Sequence, residues 1–212
     1  MIVIPQLKSN DTSDNQLIPE ITRMQEKLRN IPAARLIENS GLIEKNGRLF
    51  IDVFFQQYEI DPDNFRIIDV TGESLYVMLQ SIVLTYLTMS DGILPSGNLI
   101  SFRELPDGSN YCHAFQGYAP DRLSNYFKED IHRLHKACLK IGGRAINIGD
   151  LSFEFEVFPR IKIILAYFVG EESFPTRTSM LFDSNVDHYM ITAGMASIGY
   201  HLVDIIIKNS TT

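Results

Sequence analysis

Cysteine is nearly absent: the 212 residues hold two, Cys112 and Cys138. Two thiols cannot carry an iron–sulfur cluster, which usually takes four, or a four-cysteine zinc site. Basic charge is also short. Nineteen Lys and Arg stand against 26 Asp and Glu, a formal charge of −7. A general phosphate-backbone binder needs a basic face, so no nucleic-acid partner is expected, and the acidity is read as serving solubility. Long apolar runs are missing too. Gln80, Ser81, Thr85 and Thr88 interrupt 75–89, and Thr192, Ser197, His201 and Asp204 interrupt 190–207. A membrane span needs about 20 predominantly apolar residues, so both stretches read as buried core helices and no membrane role is expected. No basic leader precedes an apolar stretch near Met1, and both thiols read as free, which points to the cytoplasm. No phosphate-cradling glycine loop is present, since Gly142-Gly143 closes a helix where such loops open one. Neither a Gly-x-Ser-x-Gly elbow nor a His-Glu-x-x-His helix occurs.

What is there is a globular composition. Hydrophobic residues make up 45% and aromatic residues 10%, which excludes disorder. At about 150 residues per domain the length suits one large domain or two small ones, able to bury a core without disulfides or a structural metal.

The pattern along the chain predicts an α+β fold, with a mostly antiparallel sheet and packed helices. Residues 7–15 read as a loop or arm, followed by a helix from Pro19 to Leu28 and a second opened by Pro32 and stopped by Asn39-Ser40-Gly41. Residues 1–32 are thus expected to form an N-terminal arm and helix, and 33–212 a single α+β domain. Asn46-Gly47 between apolar runs marks a hairpin with Leu49–Phe55 as its second strand. Tyr58–Ile60 and Phe65–Val70 pair around the turn residues Asp61-Pro-Asp-Asn64. Leu75–Met89 reads as a central helix, Leu99–Leu105 as a strand, and Tyr111–Phe115 as a short strand returning beside it. From Pro120 one long helix is expected, with its stripe at Leu123, Phe127, Ile131, Leu134, Cys138 and Ile141. Strands over Leu151–Phe158, Ile161–Val169 and Thr178–Phe182 and a last helix from Ile191 to Lys208 complete the chain. Gly47–Phe55 and Gly149–Val157 share the pattern Gly-x-Leu followed by alternating apolar residues. Each leads to further strands and an apolar helix containing Ser-Ile, which suggests two related halves with 91–146 inserted between them.

Several ordered motifs resemble a known family. One block is Leu84-Thr-Tyr-Leu87, Asp91-Gly92, Ile100-Ser-Phe-Arg-Glu-Leu-Pro-Asp-Gly108, Tyr111 and Ala114-Phe115. The other is Glu172-Ser-Phe-Pro175, Leu181-Phe-Asp183 and His188-Tyr189. With the Gly47–Tyr58 hairpin they resemble a bacterial and archaeal family known as domain of unknown function 3786, over roughly residues 33–207. The resemblance implies a protein of anaerobes without an assigned activity. Some members carry an N-terminal iron–sulfur domain of a type also seen in corrinoid and electron-transfer proteins. The first 30 residues here contain no cysteine, so no cluster is carried over, and a corrinoid or redox link is implied by association only.

Five residues stand out as ligand-binding candidates: Arg103, Glu104, Tyr111, His113 and His188. In a strand, Arg103 and Glu104 fall on opposite, mostly apolar faces, so at least one charge is expected to be partly buried and paired. Arg103 is then either an anion clamp, since a guanidinium offers a planar fork, or half of a salt bridge to Asp91 or Asp183. Cys112 and His113 are strand neighbours, pointing apart, and make no nucleophile–base pair. His113 suits a pocket lining because histidine titrates near neutrality. Glu129, His132 and His135 have the spacing of helix neighbours, yet the simpler reading is a solvated shoulder, and no metal is expected. His188, just before the last helix, is either a site residue or a local cap. Gly194, Ser197 and Gly199 suit close approach of a ligand or, more simply, tight helix packing. The favoured function is a non-catalytic binding or accessory module of an anaerobic redox or corrinoid system, for an unknown small molecule or protein partner, with a ligand face around Arg103, Tyr111 and His188. An enzyme with an acid–base site from Glu104, His113 and His188 is the second reading, and a structural homo-oligomer the third.

Overall fold

A computed structural model of the chain describes residues 2–3, 11–69, 71–171 and 174–211. Residues 7–10 of the expected arm lie outside these, as do Val70, Glu172 and Ser173. From Asp11 onward the chain is already helical, as α1 (Asp11–Arg29). Helix α2 (Ala33–Ser40) follows Pro32 and stops at Gly41, whose φ of +73° suits a residue without Cβ. Strands β1 (Ile43–Lys45), β2 (Arg48–Val53), β3 (Gln56–Ile60) and β4 (Ile67–Ile68) then form an antiparallel sheet in chain order. Asn46 and Gly47, both at positive φ, make the expected two-residue turn and set Lys45 opposite Arg48. The Asp61 carboxylate accepts the N–H groups of Asp63 and Asn64, which fixes the turn between β3 and β4. The apolar helix α3 (Val77–Met89) follows.

The second sheet has the order β5-β9-β8-β7-β6, antiparallel throughout. Its strands are β5 (Leu99–Ser101), β6 (Arg144–Ile146), β7 (Leu151–Phe158), β8 (Ile161–Phe168) and β9 (Arg177–Asp183). Helices α4 (Gly108–Tyr118), α5 (Pro120–Phe127) and α6 (Ile131–Lys140) lie between β5 and β6, and α7 (Thr192–Asn209) closes the chain. The expected α+β class, antiparallel with packed helices, is what the chain adopts, with the strands divided between two sheets where one was expected. Both halves run a four-stranded meander into an apolar helix, β1–β4 into α3 and β6–β9 into α7, and Gly47 and Gly149 both take positive φ. No helix among the described residues is long and apolar enough to cross a membrane.

Register divides the second sheet into two faces. Phe153, Phe155, Ile163, Leu165, Met180 and Phe182 point into the core, under α5 and α6. Arg144, Ile146, Glu154, Lys162, Ile164, Leu181, Asp183 and Leu99 share the other face. The sheets meet where the Phe54 N–H donates to the Val157 carbonyl at 3.0 Å.

Four expectations are corrected. The strand Leu49–Phe55 ends at Val53, and Phe54-Phe55, both at positive φ, turn it directly into β3. The strand Leu99–Leu105 ends at Ser101, because Phe102–Glu104 form a 3-10 turn. Tyr111–Phe115 is not a strand but the middle of α4. The long helix from Pro120 breaks into α5 and α6 at Lys128, whose φ is +49°. Asp130 restarts it by accepting the Arg133 N–H, and Tyr167 Oη holds the break by donating to the Lys128 carbonyl at 2.6 Å.

Candidate functional site

The run Ser101–Gly108 builds the first wall of the site. The Glu104 carboxylate accepts from the Ser101 N–H at 2.8 Å and the Ser101 hydroxyl at 2.7 Å, part of a capping box. These two donors, the N–H first, hold the Glu104 carboxyl below its usual range. Phe102 is buried and stacks on Phe115 of α4, with centroids 4.0 Å apart, and meets Phe182 edge-on. Leu105 is buried, and the Gly108 N–H donates to its carbonyl. A Cβ on Gly108 would lie 2.0 Å from the Phe102 carbonyl oxygen, so only glycine lets α4 start here. Arg103 is exposed and has no hydrogen bond or ion pair among the described residues. The expectation that one of Arg103 and Glu104 is buried and ion-paired is therefore overturned: the 3-10 turn carries both into solvent. Asp91 and Asp183, the suggested partners of Arg103, are engaged elsewhere.

Those partners brace the loop over residues 91–98. Asp91 accepts the Ile93 N–H and pairs with His188 Nδ1 at 2.7 Å, so His188 reaches across 97 residues rather than capping locally. The Ile93 N–H donation is the main cause that holds the Asp91 carboxyl below its ordinary value. Buried Tyr189 donates its hydroxyl to the Ile93 carbonyl, and Asn185 donates to that of Leu94. Gly92, at φ +90°, sits where a Cβ would meet the Asn39 side chain at 2.8 Å. Asp183, 9% exposed, accepts the N–H groups of Ser96, Gly97 and Asn185 and the Ser96 hydroxyl. Burial pushes the Asp183 carboxyl up, but the N–H donations together outweigh it and the group lies below its usual range. Asp183→Ala strands these donors, and the expected loss is about 2 kcal/mol of unfolding free energy at pH 7. The native carboxylate's contribution is present above the unfolded pKa of about 4 and disappears as pH falls through the lower folded value. Urea titrations at pH 7 and pH 3 check both statements: the difference between wild type and variant shrinks at pH 3.

Between the end of the Ser101–Gly108 turn and residues 187–193 lies a cleft of about 410 Å³. Met89, Tyr111, Met190 and Ile191 give it apolar sides, and Asp107 and Asp187 give it carboxylates. Thr192, at the start of α7, donates its hydroxyl to the Pro106 carbonyl and ties the two sides together. Of the candidates, Tyr111 lines the cleft and is 58% exposed, and His188 follows the lining residue Asp187. Arg103 and Glu104 lead into the lining turn Pro106-Asp107. His113 is exposed on α4. Glu104 is bonded to Ser101 and His188 to Asp91, and among the described residues no hydrogen bond joins Glu104, His113 and His188. Cys112 and His113 are helix rather than strand neighbours, and the Cys112 thiol donates to the Ser109 carbonyl instead.

Glu129 falls in the break before α6, His132 is exposed, and His135 packs beside Phe153. Among the described residues no group of three or more His, Cys, Asp or Glu is placed to hold a metal. A Cβ on Gly194 would strike Met190, and one on Gly199 would strike Phe115, which matches the packing reading of these glycines. Sequence reasoning does not single out Arg160 or His201. The signal for His201 is one ionisable residue among Ile198, Leu202 and Ile205 on an apolar helix. Arg160 gives no such signal, as an arginine in the Pro159-Arg160 strand connection is ordinary.

A family model described as Domain of unknown function (DUF3786) matches residues 33–205. No curated protein and no solved structure matches the chain.

Proposed function

The chain belongs to the DUF3786 family, and on that premise we propose that it is a non-catalytic binding module for a ligand or partner that presents an anionic group to Arg103. One observation carries this reading. In the turn Ser101–Gly108, the side chains of Ser101, Phe102, Glu104 and Leu105 and the missing Cβ of Gly108 all serve the turn and its docking to α4. The Arg103 side chain is exposed and makes no hydrogen bond or ion pair among the described residues, on a braced turn whose Pro106 and Asp107 line the Tyr111 cleft. A guanidinium held out to solvent on a rigid base is suited to a carboxylate or phosphate. Glu104 is bonded to Ser101 and His188 to Asp91, and the lack of a hydrogen bond among Glu104, His113 and His188 in the described residues weighs for binding over acid–base chemistry. The corrinoid link implied by the family resemblance makes cobalamins the first probes, with nucleotides and metal ions beside them.

Arg103→Ala tests the reading directly. Its stability is expected within about 0.5 kcal/mol of wild type, because the side chain is exposed and unpaired. A probe that raises the melting temperature of the wild type is expected to leave the variant unshifted. Equal shifts in both proteins, or a variant that unfolds, would remove Arg103 from any binding role.

A further inference from the structure

The outer face of the second sheet carries a second cleft, of about 380 Å³, within the usual range for small-molecule sites. Leu99, Ile146 and Ile164 form an apolar floor, and Pro95 of the braced loop forms one side. Four charged residues line it: Arg160, Lys162, Glu154 and Asp183. Three of the four are held by neighbours. Glu154 accepts from Lys162 Nζ at 3.1 Å and from Arg144 on the adjacent strand at 2.9 Å, one carboxylate shared by two cations. Asp183 is filled by its N–H donors and the Ser96 hydroxyl.

Arg160 differs. It sits in the two-residue connection between β7 and β8 and makes no ion pair among the described residues. Nη2 donates only to the Glu38 carbonyl, at 3.4 Å, and Nε is buried with no acceptor. A buried donor without a partner is unfavourable by about 1–3 kcal/mol, and native proteins rarely leave one unmatched. The guanidinium also lacks a counter-ion among the described residues, and a carboxylate in the cleft supplies one. The apolar floor next to it suits a short hydrocarbon body.

We propose that this cleft binds a small organic monocarboxylate, its carboxylate on Arg160 and its hydrocarbon part over Leu99, Ile146 and Ile164. The site is separate from the Arg103 surface, and its reading does not depend on that one. Lys162, already held by Glu154, borders the ligand without clamping it. Gly97, whose N–H is fixed by Asp183, reports occupancy from the rim.

The test is a titration of the full chain by amide NMR with hexanoate and benzoate, against hexanamide and inorganic phosphate. Saturable shifts centred on Gly97 and its neighbours are expected with the two acids, and at least about tenfold weaker binding with hexanamide, which lacks the charge. Arg160→Gln is expected to weaken hexanoate by about tenfold or more. Leu99→Glu, on a half-exposed edge position, is expected to do so by placing a negative charge on the floor, and it decides the matter if Arg160→Gln fails to fold. Occupancy of this site is read at Gly97 and through Arg160→Gln, and the proposed function through Arg103→Ala, so the two fail separately. The proposal is overturned if neither acid binds, if shifts centre away from Gly97, if hexanamide or phosphate matches hexanoate, or if folded Arg160→Gln or Leu99→Glu keeps full affinity.

Discussion

Gly108→Ala is expected to destabilise the protein by about 3 kcal/mol or more, among the largest effects of any single methyl group here. The added Cβ would stand 2.0 Å from the Phe102 carbonyl oxygen and 3.3 Å from the Arg103 carbonyl carbon. Both neighbours are backbone, so no rotamer change relieves the overlap. Relief requires α4 to lift away from the 3-10 turn. That movement breaks the Phe102–Phe115 stack and opens the packing of both rings on Phe182. It also displaces Tyr111, which lies one turn along α4 in the cleft wall. Gly117→Ala is the matched control on the same helix. Nothing lies within 4 Å of its Cβ position, and alanine's higher helix propensity is expected to raise stability by about 0.5–1 kcal/mol. Urea unfolding of the two variants therefore moves in opposite directions. Similar midpoints would mean that α4 does not approach the turn as closely as described.

This turn also shows how far the sequence speaks. Local chemistry was enough wherever it agreed with tertiary packing. Asn46-Gly47, the Asp61 turn, Gly41 after α2 and the apolar runs of α3 and α7 were all legible on that ground. The strand over Leu99–Leu105 was misread because its alternation is accidental: Phe102 and Leu105 are buried as neighbours one turn apart. The Phe54-Phe55 turn could not be read at all. Two phenylalanines at φ +46° and +69° run against local preference. They are held by distant groups: Phe54 by Phe158, His201 and the Val157 carbonyl, and Phe55 by Phe155. The break between α5 and α6 leaves no signal in the sequence because the buried side chains Leu123, Phe127, Leu134, Cys138 and Ile141 keep helical spacing across it. At the site, the candidate residues were visible as types, but not their partners. The Asp91–His188 pair spans 97 residues, and nothing local to either residue announces it.

Acidification from pH 7.5 to pH 5 is expected to remove about 2 kcal/mol of stability through one buried side chain, His201. Its residue is fully buried on α7. The Phe54 ring stands edge-on at 4.6 Å, and Tyr76, before α3, meets Nε2 at 3.3 Å, while Nδ1 has no partner. Burial is the main force that pushes its pKa down to about 4. Asp204 pulls it up, but that carboxylate is already paired with Arg122, and Lys208 on the same helix pushes it down further. The folded chain thus keeps His201 neutral where the unfolded chain, with a pKa of about 6.5, takes up a proton. Between those two values the unfolded state binds more protons, so stability is full above about pH 6.5 and falls as pH drops toward 4. Across the whole window the loss approaches about 3 kcal/mol. The carboxylates with lowered values, Asp69, Asp91, Glu104, Glu154 and Asp183, contribute mainly below about pH 5, where unfolded carboxyls begin to protonate. The interval from 6.5 to 5 is therefore where His201 is read most cleanly. His201→Leu removes the titrating group and the unpartnered Nδ1 together. Its urea midpoint is expected to change less over that interval than that of the wild type, and the difference cancels what the other histidines contribute. Parallel pH profiles for the two proteins would show that His201 is not held neutral in the fold.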